Sequence, residues 1–187
     1  ACMCMFPYVC MALWAVFPMG FDARLSFMMA QAIAPTGAMF TFLALLTGAM
    51  WGKPTWGAWW VWDARLTSEL ILLFQYAGVM LLRTSIDDLR RADRASGVFA
   101  LVGVVNVPII YFSVKWWNTL HQGASVSMSG GSKMAATMLT AMLVMTFGFW
   151  MYSIAVILSR SRCVILEREQ LLSWNKSASI PEPVEAR

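Results

Sequence analysis

Apolar residues are grouped along this chain into five stretches, and shorter polar or aromatic segments separate them. The stretches cover residues of about 3–20, 28–50, 66–83, 97–114 and 134–158. Each one approaches the roughly 20 residues that an α-helix needs to cross a lipid bilayer. The pattern therefore predicts an all-α fold, a polytopic helical membrane bundle with five transmembrane helices.

Prolines and a few polar residues inside these stretches indicate that the helices pack against one another. Pro7, Pro35 and Pro108 lie inside the first, second and fourth stretches. Proline is tolerated in a spanning helix where neighbouring helices satisfy the freed carbonyl groups. Gln75 and Asn106 are too few to form a proton relay, so we expect each to bond between helices.

The composition excludes several classes of function. The 187 residues are 59% hydrophobic and 13% charged, and the mean hydropathy of +0.63 is that of an integral membrane protein. The net charge of +4 comes from scattered residues, which argues against nucleic-acid binding. With one histidine and no Walker loop, the chain carries neither a zinc or triad site nor an ATPase site. We expect no catalysis by this chain alone.

The cysteines and the N-terminal residues carry little further signal. Cys2, Cys4, Cys10 and Cys163 form no C-x-x-C pair, so we expect small, buried apolar residues rather than a redox or haem-attachment site. The first twenty residues have no lysine or arginine and so lack the basic region of a signal peptide.

Basic residues predict the orientation, because lysine and arginine are retained on the cytoplasmic side of a membrane. The connection Arg83–Arg94 holds four arginines, and Arg160 and Arg162 follow the last apolar stretch. We therefore predict one transmembrane domain over 1–158 and a cytoplasmic tail over 159–187. After Glu169 the tail is polar and contains two prolines, so we expect it to be disordered or bound to a partner.

Counting the spanning segments back from these cytoplasmic arginines places the N-terminus and two loops together on the outer side. The first loop, residues 51–63, holds five of the ten tryptophans within twelve positions. Indole rings supply rigid flat apolar area and the interleaved glycines allow close approach, so this loop predicts a binding surface for a large planar ligand. Tryptophans also collect at membrane interfaces, but such a belt places one or two at each helix end.

Asp63 closes the tryptophan-rich loop at the start of the third apolar stretch. Its side chain is expected to cap the helix by accepting from backbone N–H groups of the first turn. Glu69 lies close enough to that end to interact favourably with the helix dipole. Together they predict a loop held rigidly on a helix.

The second outer loop, residues 115–133, contains His121 shortly after Trp116 and Trp117, and its Ser- and Gly-rich part is expected to be mobile. A lone histidine is more often structural than a ligand. Beside two tryptophans, and on the face that carries five more, an imidazole supplies what an iron porphyrin requires: an axial nitrogen and flat apolar walls.

Three cations on the same face are candidates to pair with the propionates of such a ligand. These are Lys53, Arg65 and Lys115. Contact with lipid headgroups through snorkelling side chains is the alternative, and for Lys115 the two interpretations are equally favoured.

Two long motifs carry a resemblance to a known family. The segment WGKPTWGAWWVWDARLTSEL (51–70) and the segment VKWWNTLHQG (114–123) are similar to the signature of the haem exporter protein C (CcmC) family of cytochrome c maturation. The likeness extends from about residue 34 to residue 123 and includes VVNVPII (104–110).

The resemblance implies a six-helix protein of the bacterial or mitochondrial inner membrane. It would hold haem b (iron protoporphyrin IX) non-covalently on its outer, periplasmic face, between two axial histidines and the tryptophan-rich loop. Haem would then pass to a membrane-anchored haem chaperone. The implied partners are an ABC-type ATPase subunit, a permease subunit and a small single-helix subunit, within the lipid bilayer.

His121 matches the second axial histidine of the family. The first axial histidine and the first family helix have no counterpart from Ala1 onward, so we expect a chain that lacks its beginning. Without an upstream histidine, His121 would be the only ligand to the iron. The candidate haem-binding residues are Trp51, Lys53, Trp56, Trp59, Trp60, Trp62, Asp63, Arg65, Trp116, Trp117 and His121, with His121 as the metal ligand.

Two other functions compete with haem delivery. The chain could be a permease for a small molecule, with the tryptophan loops as an outer gate, although only Gln75 and Asn106 offer a polar path. It could also be a structural subunit whose tryptophan loops dock a partner domain.

Overall fold

The helices of the chain overlap all five apolar stretches, and the second and the last helix extend well beyond theirs. The computed structural model describes residues 2–16, 23–116, 126–127, 131–132 and 135–178. Within these ranges six α-helices are present: α1 (Cys2–Val16), α2 (Ala23–Trp56), α3 (Ala64–Ser85), α4 (Leu89–Gly103), α5 (Asn106–Trp116) and α6 (Ala136–Ala178). The predicted all-α membrane bundle is confirmed.

Four spans in the described residues are long and apolar enough to cross a membrane. They are Leu25–Trp56, Ala64–Ser85, Leu89–Ser113 and Ala136–Leu171, and a shorter apolar helix covers Cys4–Val16. The span Leu89–Ser113 comprises both α4 and α5. Five apolar helical segments are therefore present, as predicted, although the first is shorter than a full span in the described residues.

Pro108 explains why α4 and α5 are separate helices. Proline has no N–H to donate and its ring collides with the carbonyl four residues earlier, here that of Val104. The chain turns at residues 104–105, where Val104 N–H donates to the Leu101 carbonyl at 3.1 Å and Val107 N–H donates to the Val104 carbonyl at 3.0 Å. These tighter turns satisfy groups that a continuous helix would leave unpaired.

The helix α3 and the α4–α5 pair run antiparallel. Near one end, Asn106 Nδ2 donates to the Ser68 carbonyl at 2.9 Å, and near the other, Arg83 Nη2 lies 2.9 Å from Asp93 Oδ1. The last residue of α5, Trp116, therefore lies at the end of the bundle where α3 begins. We call this the tryptophan end, and the end that carries the α3–α4 connection the arginine end.

The long helix α6 lies on the outside of the bundle and runs antiparallel to α2. The rings of Phe149 and Phe40 meet edge-on at 5.9 Å, and Ser161 Oγ lies 3.2 Å from Met29 Sδ. No residue in the most apolar window of α6 is buried. At 43 residues this helix is about 65 Å long, so it extends well beyond a bilayer core of about 30 Å.

The buried core joins α1, α2 and α3 around two tyrosines. Tyr76 and Tyr8 are fully buried and their rings meet edge-on at 5.0 Å. Tyr76 Oη donates to the Cys4 carbonyl at 2.9 Å. Gly37 makes room for this arrangement, because a Cβ atom at that position would collide with the Tyr76 ring.

The prediction of buried cysteines is confirmed for Cys4 and wrong for Cys163, and the side chain of Cys2 lies outside the described residues. Cys4 is buried and Cys10 is half-buried, whereas Cys163 is exposed because it lies on the outer helix. Asn106 bonds between helices as predicted. Gln75 does not confirm that prediction, because its Oε1 atom is buried without a hydrogen-bond partner in the described part of the chain.

Two expectations for the connections were wrong, and a third, the mobility of residues 125–133, stays a prediction. The arginine-rich segment is helical except at 86–88, because Asp88 caps α4 by accepting from the Arg90 N–H at 2.9 Å. The tail was expected to be disordered or bound to a partner, but its residues continue α6 as far as Ala178, and residues 179–187 lie outside the described residues. In the segment expected to be mobile, strand β1 (Val126–Ser127) pairs antiparallel with β2 (Gly131–Ser132).

Candidate functional site

A glycine ends α2 inside the predicted tryptophan loop, residues 51–63. Residues 51–56 belong to α2, so the predicted start of this loop was wrong. Gly57 has a φ of 77°, in the left-handed region that glycine adopts without steric cost. Its N–H donates to the Lys53 carbonyl at 3.1 Å and so closes the last turn. Gly52 is buried beneath this turn, where an added Cβ would lie 3.2 Å from the Trp56 ring. The two glycines turn the chain back over the helix end.

The five indoles of this loop are held in pairs and around a cation. Trp51 and Trp56 meet edge-on with ring centroids 5.6 Å apart, and Trp60 and Trp62 do the same, also at 5.6 Å. Edge-to-face contacts of this kind stabilise an aromatic pair by about 0.5–1.5 kcal/mol beyond burial. The contacts therefore restrict the orientations of four of the five rings.

Three of these rings remain largely uncovered. Trp51, Trp59 and Trp62 have exposed fractions of 56%, 59% and 76%. Together they present on the order of 400 Å² of exposed surface, taking a tryptophan as about 200 Å². Exposed apolar areas of that size mark binding sites or surfaces that face a membrane. The residues thus expose apolar ring surface, and the binding of a planar ligand there stays a prediction.

Trp60 is the inner ring of the loop and carries an unused donor. Its Nε1 atom is buried and has no hydrogen-bond partner in the part of the chain that the structure describes. A tryptophan of an interfacial belt usually directs this N–H to water or headgroups. The Trp60 N–H thus faces the protein interior, unlike that of a belt tryptophan.

Positive charge accompanies the indoles. Lys53 Nζ lies 5.8 Å from the centroid of the Trp59 ring, a cation–π distance, and 3.4 Å from the Gly57 carbonyl oxygen. Arg65 is half-buried in the first turn of α3. Both cations therefore belong to the same short stretch of backbone as the exposed rings, whereas the side chain of Lys115 lies outside the described residues.

Asp63 occupies the predicted N-cap position of α3, but the predicted capping bond is wrong. Its backbone carbonyl accepts from the Thr67 N–H at 2.9 Å, and its side chain makes no capping hydrogen bond. The carboxylate is buried and makes its contacts elsewhere. Glu69, six residues further, is also buried. The loop is thus anchored to α3 by backbone hydrogen bonding and burial.

The second predicted loop is only partly described. Trp116 is the last residue of α5, at the tryptophan end, and its side chain lies outside the described residues. Trp117 and the predicted metal ligand His121 also lie outside them. The helices nevertheless bring the start of this loop to the same end of the bundle as the five indoles, as the count of spans predicted.

A buried ion-pair cluster at the arginine end was missed by sequence reasoning. Asp93 accepts from Arg168 Nη2 with both carboxylate oxygens, at 2.9 and 3.0 Å, and pairs with Arg83 Nη2 at 2.9 Å. It joins α3, α4 and α6. The available signal was the spacing of Ala92, Ser96 and other small residues on one face of α4, which predicts a packed helix rather than a loop.

Comparison with known proteins identifies the family. The family model described as "Heme exporter protein C" matches residues 1–176. The chain belongs to the haem exporter protein C family. The Escherichia coli protein of that name is 47% identical over 167 residues, which cover 89% of this chain and 67% of that protein.

Two further relatives support the same assignment. The Bradyrhizobium diazoefficiens "Heme exporter protein C" is 54% identical over 139 residues, 74% of this chain and 53% of that protein. A Marchantia polymorpha "Putative cytochrome c biosynthesis ccmC-like mitochondrial protein" is 40% identical over 158 residues, 84% of this chain and 67% of that protein. The family and the spans support a multi-pass membrane protein with a role in haem export and cytochrome c maturation.

Proposed function

We propose that this chain binds haem b non-covalently at its tryptophan end and delivers it to a haem chaperone for cytochrome c maturation. The observation that carries the proposal is the cluster of exposed indoles, Trp51, Trp59 and Trp62, at the end of the bundle where α5 leads toward His121. The haem exporter family supports the identity of the ligand.

Chain geometry allows His121 to belong to this surface. It follows Trp116 by five residues, which can span at most about 17 Å. The proposed roles are an axial nitrogen from His121 for the iron and flat walls from the indoles of Trp59 and Trp62. Haem itself supplies the iron, and the chain orients it and shields one face.

Cations near the rings suit the two carboxylates of haem. Lys53 lies over the Trp59 ring and Arg65 begins α3, so both are candidates for charge-assisted hydrogen bonds to propionates. Trp56, Trp60, Trp116 and Trp117 complete the proposed apolar surroundings. A second axial histidine from a segment before Ala1 would complete the coordination.

The proposed orientation follows from the distribution of arginines. The α3–α4 connection and the extension of α6 lie at the arginine end, which we place on the cytoplasmic side of the inner membrane. The tryptophan end would then face the periplasm or the intermembrane space. An ABC-type ATPase, a permease and a small single-helix subunit are the proposed partners, and membership of the haem exporter family supports an ABC-type system.

The permease alternative finds less support among the described residues. Asn106, one of two candidate polar groups for a pathway, already donates to the Ser68 carbonyl and joins two helices. The other alternative is a structural subunit that docks a partner through the tryptophan loop. Altering the loop would then abolish co-purification of the partner and leave the haem content of the chain unchanged.

The test is a titration of the full chain with haem in detergent. Binding is measured from the absorption band of the haem. We expect a band for the parent chain, a weakened or shifted band for His121→Ala, and partial recovery on adding imidazole, which replaces the lost ligand. With haem in excess, an absorption band identical to that of free haem would refute the proposal. A band that His121→Ala leaves unchanged would refute the role of this histidine.

A second step tests delivery. Haem-loaded chain is mixed with the purified apo haem chaperone, and covalent haem on the chaperone is measured. We expect transfer from the loaded parent chain that exceeds transfer from free haem at the same concentration. Equal transfer from both sources would leave binding intact and refute delivery.

A further inference from the structure

A groove between α3 and α4 lies at the arginine end, far from the proposed haem site. It has a volume of about 580 Å³. It is lined by Leu82, Arg91, Arg94, Ala95, Val98, Phe99 and Val102. All of these except the two arginines are apolar, so the groove combines an apolar wall with a cationic rim.

The spacing along α4 explains this combination. Arg91, Arg94, Val98 and Val102 follow at intervals of three or four residues, which places them in one stripe on the helix surface. From Arg91 to Val102 the helix rises about 16 Å. One leaflet of a bilayer is about 15 Å, half of a hydrocarbon core of about 30 Å. The stripe therefore extends through one leaflet, with its cations at the polar boundary.

The wall of the groove depends on the contact between the two helices. The Phe99 ring packs against Gly78 of α3, where an added Cβ would lie 2.6 Å from its Cε1 atom. Val98 and Val102, by contrast, have exposed fractions of 61% and 67%. The apolar part is thus open to the surroundings along α4.

The arginines at the rim keep an excess of positive charge. Arg91 Nε lies 3.5 Å from Asp88 Oδ2, in a pair whose side chains are mostly exposed, so the interaction is weak. Among the described residues the structure shows no ion pair for Arg94. The carboxylate of Asp93 is buried in its own pairs. A negatively charged group at the rim would therefore find two guanidinium groups.

We propose that this groove binds one anionic phospholipid. An acyl chain lies along Val98, Phe99 and Val102, and the headgroup phosphate accepts hydrogen bonds from Arg91 and Arg94. Guanidinium groups suit phosphate oxygens, and basic pockets between membrane helices bind anionic headgroups. A lipid with net negative charge is favoured over a zwitterionic one because the rim carries net positive charge.

The test is lipid retention by the full chain, measured by native mass spectrometry. Phosphatidylglycerol and phosphatidylethanolamine with the same acyl chains are the probes. We expect the parent chain to retain phosphatidylglycerol preferentially. In the variant Arg91→Gln/Arg94→Gln the affinity for phosphatidylglycerol should fall about thirtyfold, since each arginine contributes about 1 kcal/mol. The matched control is Arg90→Gln/Arg160→Gln, which removes equal charge from exposed positions outside the groove. It should retain phosphatidylglycerol as the parent does.

Equal retention of the two lipids by the parent chain, or equal loss in both double variants, would overturn the proposal. A photoreactive amino acid in place of Val98 distinguishes the occupants in membranes. Crosslinking to phospholipid supports the proposal, and crosslinking to a polypeptide instead would overturn it. The outcome is independent of haem binding, because no groove residue belongs to the proposed haem site.

Discussion

The buried ion-pair cluster makes the sharpest prediction about stability. Asp93 accepts hydrogen bonds from Arg168 and pairs with Arg83, at distances between 2.9 and 3.0 Å. The side chains of Asp93, Arg83 and Arg168 are only 9%, 11% and 14% exposed. Asp93→Asn keeps the shape of this residue and removes its charge, so two guanidinium groups would remain buried against each other.

Removing one partner of a buried pair costs about 3–5 kcal/mol. For a chain of 150–250 residues each kcal/mol changes the Tm by about 2–4 °C, so Asp93→Asn should lower it by roughly 6–20 °C. Arg168→Gln should cost less, about 1.5–3 kcal/mol, because the carboxylate keeps its pair with Arg83. Asp87→Asn, an exposed carboxylate nearby, is the control and should change little.

The assay is thermal unfolding of the full chain in one detergent, by intrinsic fluorescence, with all three variants. The predicted order of destabilisation is Asp93→Asn, then Arg168→Gln, then Asp87→Asn. If Asp93→Asn unfolds within about 2 °C of Asp87→Asn, less than 1 kcal/mol separates them. The cluster would then not hold α6 against α3 and α4.

Two further predictions concern helix packing and use the same assay. Gly37→Ala should destabilise strongly because its Cβ would collide with the Tyr76 ring, whereas Gly148→Ala, where nothing lies within 4 Å, should be neutral or stabilise by up to about 1 kcal/mol. Equal effects of the two would contradict the packing described. Asn106→Ala should cost about 0.6–1.7 kcal/mol, since the bond to the Ser68 carbonyl is lost. An unchanged Tm would show that this bond contributes nothing.

Hydropathy predicted the spans well because burial in lipid requires long apolar segments, whatever their neighbours. It failed where packing between helices decides the structure. The start of α4 was expected to be a loop because arginines lie at 90, 91 and 94, yet their side chains point away from the face that carries buried Ala92 and Asp93. Charge alone does not distinguish a polar helix face from a loop.

Pairings between distant residues were likewise beyond reach of the sequence. Asp93 and Arg168 are separated by 75 positions, and one sequence offers no signal that joins them. The tryptophan-rich loop could be recognised from the sequence, because its unusual composition lies within one short segment. The sequence predicted its exposed rings. It did not predict that Lys53 lies over the Trp59 ring, because that position depends on how Gly57 turns the chain.

Haem affinity of two matched tryptophan variants tests the central claim most directly. Trp62 and Trp174 have almost equal exposed fractions, 76% and 75%, but Trp62 lies in the tryptophan loop and Trp174 near the end of α6, beyond its spanning segment. Haem titration, followed by absorption, should give a Kd raised about fivefold for Trp62→Ala, from about 1 kcal/mol for a lost ring contact, and unchanged for Trp174→Ala. An unchanged Kd for Trp62→Ala, or the same rise in both variants, would contradict haem binding by the tryptophan loop.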